Sequence, residues 1–296
     1  MIVIGDKAAE IEMQAVNEIA NYLKNETGNK PLIKKYSEIA ERDKKNNLII
    51  VGTPNSNPML KEVYEMADVL EVNETYPGEG KGVLEILRNP WGEEGAMLLV
   101  SSKDMTGLFV STKEIIEFKE INNNSKITDI LSYLNNKGYN MVYVKIKFTR
   151  VPTSYERYNF SSIGIFLLGY IPHNSFFAKV PLDKIDHIKS LENVESVSPI
   201  LIEDKIDPDI LKGKIGSWAI NPDGSVNLRV KFFKDVPEEK CKEILEKYGQ
   251  IISGPSLLNY WVISINKSKI YDLALENEVQ WIGKIPPPPI ITNYSE

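Results

Sequence analysis

The second half of the chain repeats itself at a fixed offset of 85 residues. Self-similarity at a constant spacing is typical of a duplicated structural unit. Residues 144–197 align with residues 229–282 without any insertion. The period is too long for a solenoid repeat, so the pattern predicts a small domain that occurs twice. The paired positions include Val151 and Val236, Pro152 and Pro237, Gly164 and Gly249, Ile185 and Ile270, and Val194 and Val279.

Length and charge narrow the class of protein. At 296 residues, the chain can form two or three domains, each with its own core. The formal net charge is −6, and the basic residues are scattered. This argues against a nucleic-acid partner, because such a surface needs clustered Lys and Arg. No apolar run reaches the roughly 18 residues of a membrane span. We therefore expect no nucleic-acid partner and no membrane span.

Cysteine and asparagine usage bear on cofactors and location. Cys241 is the single cysteine, so the chain has no intrachain disulfide and no cysteine-based zinc site. No pattern predicts a metal or a cofactor. The start of the chain resembles a first strand rather than a signal peptide. We expect either an extracellular or cell-surface precursor, of which this is an excerpt, or a cytoplasmic protein. The first is favoured by sequons at Asn25, Asn73, Asn123, Asn159, Asn266 and Asn293.

Residues 1–125 alternate short apolar strands with amphipathic segments, which predicts a three-layer α/β domain with a mostly parallel sheet. Pro58 is expected to start a helix that runs to Met66, since proline suits a first helical position. The segment Gly78-Glu-Gly-Lys-Gly82 resembles a phosphate-binding loop. It lacks the GxxxxGK[ST] spacing and precedes a strand, so a plain loop is the favoured interpretation.

Two segments of this first domain resemble known proteins. They are Ile49-Ile-Val-Gly-Thr-Pro-Asn-Ser-Asn-Pro58 and Gly82-Val-Leu-Glu-Ile-Leu-Arg-Asn-Pro-Trp91 with the following Ala96–Ser102. They resemble the α/β accessory domain of archaeal cell-surface proteins and of some glycoside hydrolases. The resemblance implies a non-catalytic domain.

Each repeat is predicted to fold as strand, helix, strand, strand, helix, strand. In the first repeat, apolar residues alternate over 141–148 and recur at helical spacing over 182–191. This βαββαβ order is typical of the ferredoxin-like fold, which packs both helices on one face of a four-stranded antiparallel sheet. The fold class is therefore α/β plus α+β. The predicted domains are 1–125, 126–210 and 211–289, followed by an extended tail, 290–296.

The repeats carry ordered motifs that resemble the tandem pro-region of archaeal subtilisin-like serine proteases. These motifs are Leu168-Gly-Tyr-Ile-Pro-His-Asn-Ser175, Leu191-Glu-Asn-Val-Glu-Ser-Val-Ser-Pro199 and Glu278-Val-Gln-Trp-Ile282. The resemblance implies an intramolecular chaperone, inhibitor or targeting segment whose partner is a subtilisin-like protease domain, in cis or in trans. It also implies that the sheet packs on the protease and that the C-terminal tail enters the substrate cleft. The tail residues are Ile290, Ile291, Thr292, Asn293, Tyr294, Ser295 and Glu296.

The tail has two interpretations. Pro286-Pro-Pro-Pro289 would stiffen the exit, and the tail would bind as an extended strand in a protease groove. Alternatively, these residues are a linker.

Catalysis by the chain itself is not expected. A serine-protease triad needs Asp, His and Ser in one arrangement. The two histidines, His173 and His187, fall in a predicted turn and a predicted helix, and Asp223-Gly-Ser225 is typical of a β-turn. The chain is thus predicted to be no enzyme. Two other hypotheses stay open, namely a surface-layer or glycan-associated binding protein and an amino-acid-sensing regulator of the ACT type.

Overall fold

The computed structural model describes residues 1–92, 95–117, 126–256 and 259–288. The chain divides into two compact units, Met1–Leu201 and Ile202–Glu296. Both contain helices and sheets, so the coarse prediction of a mixed α/β and α+β protein is confirmed. Among the helices of the described ranges, none is long and apolar enough to cross a membrane. The predicted domain boundaries stay predictions.

The first unit opens with a six-stranded mixed sheet in the order β2-β1-β3-β5-β4-β6. Neighbours from β2 to β5 are parallel, and β4 is antiparallel to both β5 and β6. The strands are β1 (Ile2–Ile4), β2 (Ile33–Lys35), β3 (Leu48–Gly52), β4 (Lys81–Arg88), β5 (Ala96–Ser102) and β6 (Lys126–Asp129). The helices are α1 (Glu10–Thr27), α2 (Glu41–Lys44), α3 (Pro58–Met66), α4 (Met105–Glu117) and α5 (Ile130–Asn136).

Helices cover both faces of this sheet because its strands bury side chains on both sides. Val16 of α1 and Leu108 of α4 share one apolar cluster with Ile2 and Ile4. Leu60 and other residues of α3 pack in a second cluster with Val3 and the alternate residues of β3. The helix predicted from Pro58 to Met66 has those bounds. The pairing of β6 with β4 was not predicted.

The first repeat forms a separate four-stranded antiparallel sheet in the order β10-β7-β9-β8. Phe160 of one helix and Ile185 and Ile188 of the other share one core with alternate residues of the two central strands. Both helices therefore lie on the same face of the sheet. The elements are β7 (Met141–Phe148), α6 (Ser154–Ser162), β8 (Phe166–Ile171), β9 (Ser175–Pro181), α7 (Ile185–Lys189) and β10 (Val194–Pro199).

The second unit begins with two short helices and then repeats this plan, with its sheet in the order β12-β13-β11-β14. Its pairings are also antiparallel. The elements are α8 (Ile202–Lys205), α9 (Pro208–Leu211), β11 (Val226–Phe232), α10 (Glu238–Tyr248), β12 (Gly249–Ser253), β13 (Tyr260–Ile265), α11 (Ile270–Leu275) and β14 (Val279–Lys284).

The two repeats keep the register that the sequence predicts. The first residues of β7 and β11, of β9 and β13, of α7 and α11, and of β10 and β14 are each 85 positions apart. One paired glycine differs. Gly164 has the left-handed backbone expected after a helix (φ 85°), whereas Gly249 is extended and begins a strand. A Cβ at Gly249 would lie 2.1 Å from the carbonyl oxygen of Ser264, so a close approach between strands explains this glycine.

Candidate interaction face on the second repeat

The carboxyl edge of the first sheet, where open α/β sheets usually bind ligands, is filled by the chain itself. Asn57 is buried between the ends of β1 and β3, and its amide donates to the carbonyl oxygens of Val3 (3.2 Å) and Val51 (2.9 Å). Its side-chain oxygen accepts from the N–H of Met59 and caps α3. Glu12, which is also buried, accepts from Ser56 and from the N–H of Thr53. This arrangement holds the loop between β3 and α3 in place.

Replacing Asn57 by alanine should therefore destabilise the first unit by about 2 kcal/mol, because a helix cap and two buried hydrogen bonds are lost together. The change would be measured as lost amide protection in β1 and β3 by hydrogen exchange. Asn55→Ala is the matched control, since Asn55 is exposed in the same loop. Equal effects of the two variants would contradict the role of Asn57.

The residues considered for catalysis take structural positions. His173 and Asn174 have positive φ angles of 65° and 56° and form the tight turn between β8 and β9. His187 lies on α7. The Ser225 hydroxyl donates to Asp223 at 2.6 Å within the turn before β11. In the described ranges, no cluster of three or more His, Cys, Asp or Glu side chains could hold a metal ion.

Cys241 and Lys205 are ionisable residues whose side chains are buried in the second unit. Cys241 lies in the core side of α10, and burial raises the pKa of its thiol to about 11, so the thiol is neutral at pH 7. Cys241 therefore packs as a small buried side chain. Lys205 is buried at the end of α8, and its ammonium donates to the carbonyl oxygen of Glu276 at 2.8 Å. Burial lowers the pKa of Lys205 to about 8, although Glu278 and Glu276 raise it.

The sheet of the second repeat presents an ordered set of polar and aromatic side chains on the face away from its core. Along β11, Leu228, Val230 and Phe232 are buried, whereas Arg229 and Lys231 are partly exposed. This alternation follows from the period of two in a strand. The interstrand register places Tyr260, Lys231 and Trp281 in one row across three strands. It places Val262, Arg229 and Gly283 in the next row. We call Arg229, Lys231, Tyr260, Val262 and Trp281 the docking face.

Both cations of the docking face lie near one aromatic ring, that of Tyr260. The guanidinium of Arg229 lies 5.1 Å from the centroid of the Tyr260 ring, and the ammonium of Lys231 lies 5.8 Å from it. Arg229 also donates through Nε to the carbonyl oxygen of Lys284 at 2.9 Å. Within the part of the chain that the structure describes, neither cation has a carboxylate partner. These contacts order the side chains and leave a positive, aromatic surface.

The chain leaves this sheet from β14, the strand that carries Trp281. The indole N–H of Trp218 donates to the carbonyl oxygen of Ile285 at 3.2 Å and fixes the start of the exit segment. Pro286, Pro287 and Pro288 follow and are exposed. The predicted protease-binding tail, Ile290–Glu296, lies outside the described residues, so its role stays a prediction.

The sequence predicted a sheet with both helices on one face but did not identify the residues of the opposite face. The alternation of Arg229 and Lys231 between Leu228, Val230 and Phe232 was a usable signal for one strand. The same alternation could not place Trp281 on this face, because the register of β14 on β11 shifts between Lys231 and Phe232. That irregularity changes which residues of β14 face the docking side.

Comparison with known proteins covers part of the chain. A family model described as a domain of unknown function (DUF8729) matches residues 109–201. The match begins within α4 and includes every strand and helix of the first repeat. No curated protein matches the chain. The family match thus contains the whole first repeat together with β6, α5 and part of α4, and the family's description names no activity.

Proposed function

We propose that the chain is a non-catalytic pro-region that binds a subtilisin-like serine protease, as an intramolecular chaperone and inhibitor. The docking face of the second repeat lies against the protease surface, and the tail that follows β14 enters the substrate groove. The parent protein acts at the cell surface or outside the cell. The observation that carries the proposal is the continuity between this face and the exit segment, since β14 carries Trp281 of the docking face and the exit segment begins directly after β14.

The topology of both repeats supports a ferredoxin-like assignment. Numbered along each repeat, the strands have the spatial order 4-1-3-2, with the order read from opposite edges in the two sheets. The two helices pack on one side of the sheet, as the core of the first repeat illustrates. This is the arrangement of the split βαβ fold. The fold serves several functions, so the site must supply the specific argument.

The composition of the docking face fits a protein partner. Aromatic side chains and arginine are enriched at protein interfaces and contribute most of the binding energy there. Tyr260 and Trp281 supply two aromatic anchors on either side of Lys231. Arg229 and Lys231 give the face a positive charge, although the whole chain carries −6. A protease surface with exposed carboxylates would complement this charge.

The proposal is tested by adding the purified chain to a panel of subtilisin-like serine proteases and measuring hydrolysis of a chromogenic peptide. We expect tight inhibition of at least one of them. Tyr260→Ala and Trp281→Ala should each weaken inhibition at least tenfold, because truncating an interface anchor costs about 2 kcal/mol or more. A chain ending at Pro289 should also inhibit less, because the tail would be missing.

Tyr170→Ala provides the matched control. Tyr170 is an exposed tyrosine on an edge strand of the first repeat, outside the docking face, and its loss should leave inhibition unchanged. A chymotrypsin-like serine protease tests selectivity for the subtilisin fold. If no subtilisin-like protease is inhibited or assisted in refolding, the proposal fails. Full inhibition by both the Tyr260 and the Trp281 variants would show that the docking face does not bind the protease.

A further inference from the structure

The first repeat contains a cleft of about 460 Å³ between the first turns of α6 and the turn that joins α7 to β10. This volume lies within the range of small-molecule sites in proteins, roughly 300–1,000 Å³. Its apolar walls are Phe160 and Leu191, and its polar lining includes Arg150, Glu156, Asn159 and Asn193. The cleft therefore combines an apolar surface with hydrogen-bonding groups.

Glu156 fixes the polar side of the cleft. Arg150 donates to both carboxylate oxygens of Glu156 at 2.8 Å, and the amide of Asn193 donates to one of them at 3.0 Å. The N–H and hydroxyl of Thr153 donate to the same carboxylate and cap α6. Bidentate pairing of this kind fixes the orientation of both side chains. The hydrogen bonds from Arg150 lower the pKa of Glu156 to about 2, so the pair stays ionised and neutral in sum.

Several polar groups of the cleft retain bonding capacity. Within the described part of the chain, the side chains of Asn159 and Glu192 make no hydrogen bond to protein atoms. Arg150 keeps further N–H donors, and the side-chain oxygen of Asn193 can accept. Because the charge of Arg150 is balanced by Glu156, the remaining carboxylate of Glu192 disfavours an anionic ligand. The cleft offers both donors and acceptors to an uncharged, hydroxyl-rich molecule.

Two exposed tyrosines, Tyr155 and Tyr158, lie on α6, the helix that lines one side of the cleft. Tyr155 and Tyr158 are 74% and 71% exposed, the highest values among the large apolar and aromatic side chains that the structure describes. Tyr155 lies four residues before Asn159, so the two are neighbours on the helix surface. Tyr155 and Tyr158 are three positions apart and therefore adjacent on the helix surface, and contiguous exposed apolar surface marks interaction sites. Aromatic rings stack well on the apolar faces of pyranose rings.

The second repeat shows that the fold does not need these residues. At an offset of 85, Glu156 and Asn159 correspond to Cys241 and Ile244, which are buried in the core. Tyr155 and Tyr158 correspond to Lys240 and Glu243, which form an ion pair at 3.1 Å. The second repeat thus forms the same strand order with an ordinary charged helix surface and an apolar filling. The polar lining from Glu156 and Asn159 and the two exposed tyrosines therefore distinguish the first repeat from the second.

We propose that this cleft, with Tyr155 at its rim, binds a neutral oligosaccharide. One sugar ring lies over Tyr155, and the next places its hydroxyl groups against Asn159, Glu192 and Arg150. The carboxylate of Glu156 holds the guanidinium of Arg150 in position, and this ion pair stays intact when the sugar binds. The proposal is independent of protease binding, which uses a different face.

The test uses the full chain with maltotriose, cellotriose, mannotriose and N,N′,N″-triacetylchitotriose as probes, in saturation-transfer NMR and titration calorimetry. We expect saturable binding of at least one trisaccharide. Tyr155→Ala and Asn159→Ala should each weaken that binding at least tenfold. Tyr170→Ala and Lys240→Ala, an exposed tyrosine outside the cleft and the equivalent of Tyr155 in the second repeat, should have no effect.

Two results of these binding measurements would overturn the carbohydrate proposal. Binding of no trisaccharide would overturn the proposal. Binding that is unaffected by both Tyr155→Ala and Asn159→Ala would also overturn it, because the site would lie elsewhere. Inhibition of a protease should be the same for Tyr155→Ala as for the unmodified chain. The two proposals can therefore fail or succeed separately.

Discussion

Replacing Phe148 by alanine should destabilise the first repeat by about 3–5 kcal/mol, the usual cost of removing a buried phenylalanine. Phe148 ends β7 and is almost fully buried. Its ring lies 5.6 Å from that of Phe160 on α6 and 5.9 Å from that of Phe176 on β9, centroid to centroid. The side chain thus joins the central strands to the first helix, and its removal leaves a cavity that these elements cannot easily fill.

Hydrogen exchange followed by mass spectrometry is the suitable measurement, because a chain with two compact units need not unfold in one step. We expect protection to fall over residues 141–181, within the first repeat. Tyr158→Ala is the control, since it removes an exposed aromatic ring from the same helix and should change stability by less than about 0.5 kcal/mol. Unchanged protection in Phe148→Ala would show that the described core is wrong.

The second large effect concerns pH. The pKa of Lys205 is lowered by burial from its ordinary value of 10.5 to about 8. Between these values, the unfolded chain binds a proton that the folded chain has released, so stability should rise as pH increases from 8 towards 10.5. A difference of about 2.5 pH units corresponds to on the order of 3 kcal/mol. Below pH 8, this contribution of Lys205 should not vary with pH.

Urea unfolding at several pH values would measure this dependence. Tryptophan fluorescence reports mainly on the second unit, because Trp218, Trp261 and Trp281 belong to it. The Cys241 thiol acts in the opposite direction above pH 9, since its pKa is raised in the folded state. The comparison with Lys205→Met isolates the lysine, and Lys234→Met controls for the same change at an exposed site. Parallel pH profiles for the unmodified chain and Lys205→Met would refute the prediction.

Periodicity in the sequence was sufficient to locate most elements of the repeats. The alternation of Val142, Val144, Ile146 and Phe148 predicted the bounds of β7, because one face of that strand packs on the core. Pro58 marked the first residue of α3 for a similarly local reason, its fixed φ angle. The constant offset then carried these assignments from one repeat to the other.

Interactions between distant residues could not be predicted in the same way. The antiparallel addition of β6 to β4 depends on pairing across more than forty positions, from Lys81 to Asp129. The cleft depends on Asn193 reaching Glu156, which is 37 positions earlier in the chain. The rows of the docking face depend on interstrand register, which local patterns do not determine.

The outer edge of β14 has a consequence for solubility. Ile206 forms a parallel bridge with Ile282, and the N–H of Asp207 donates to the carbonyl oxygen of Ile282 at 2.9 Å. These contacts occupy backbone groups that would otherwise be available to a strand of another molecule. At the opposite edge, β12 is five residues long, and its register shifts between Ile251 and Ser253. The covered edge of β14 and the short, irregular edge of β12 both oppose aggregation by edge-to-edge strand pairing. These two features should help the second unit stay dispersed in concentrated solution.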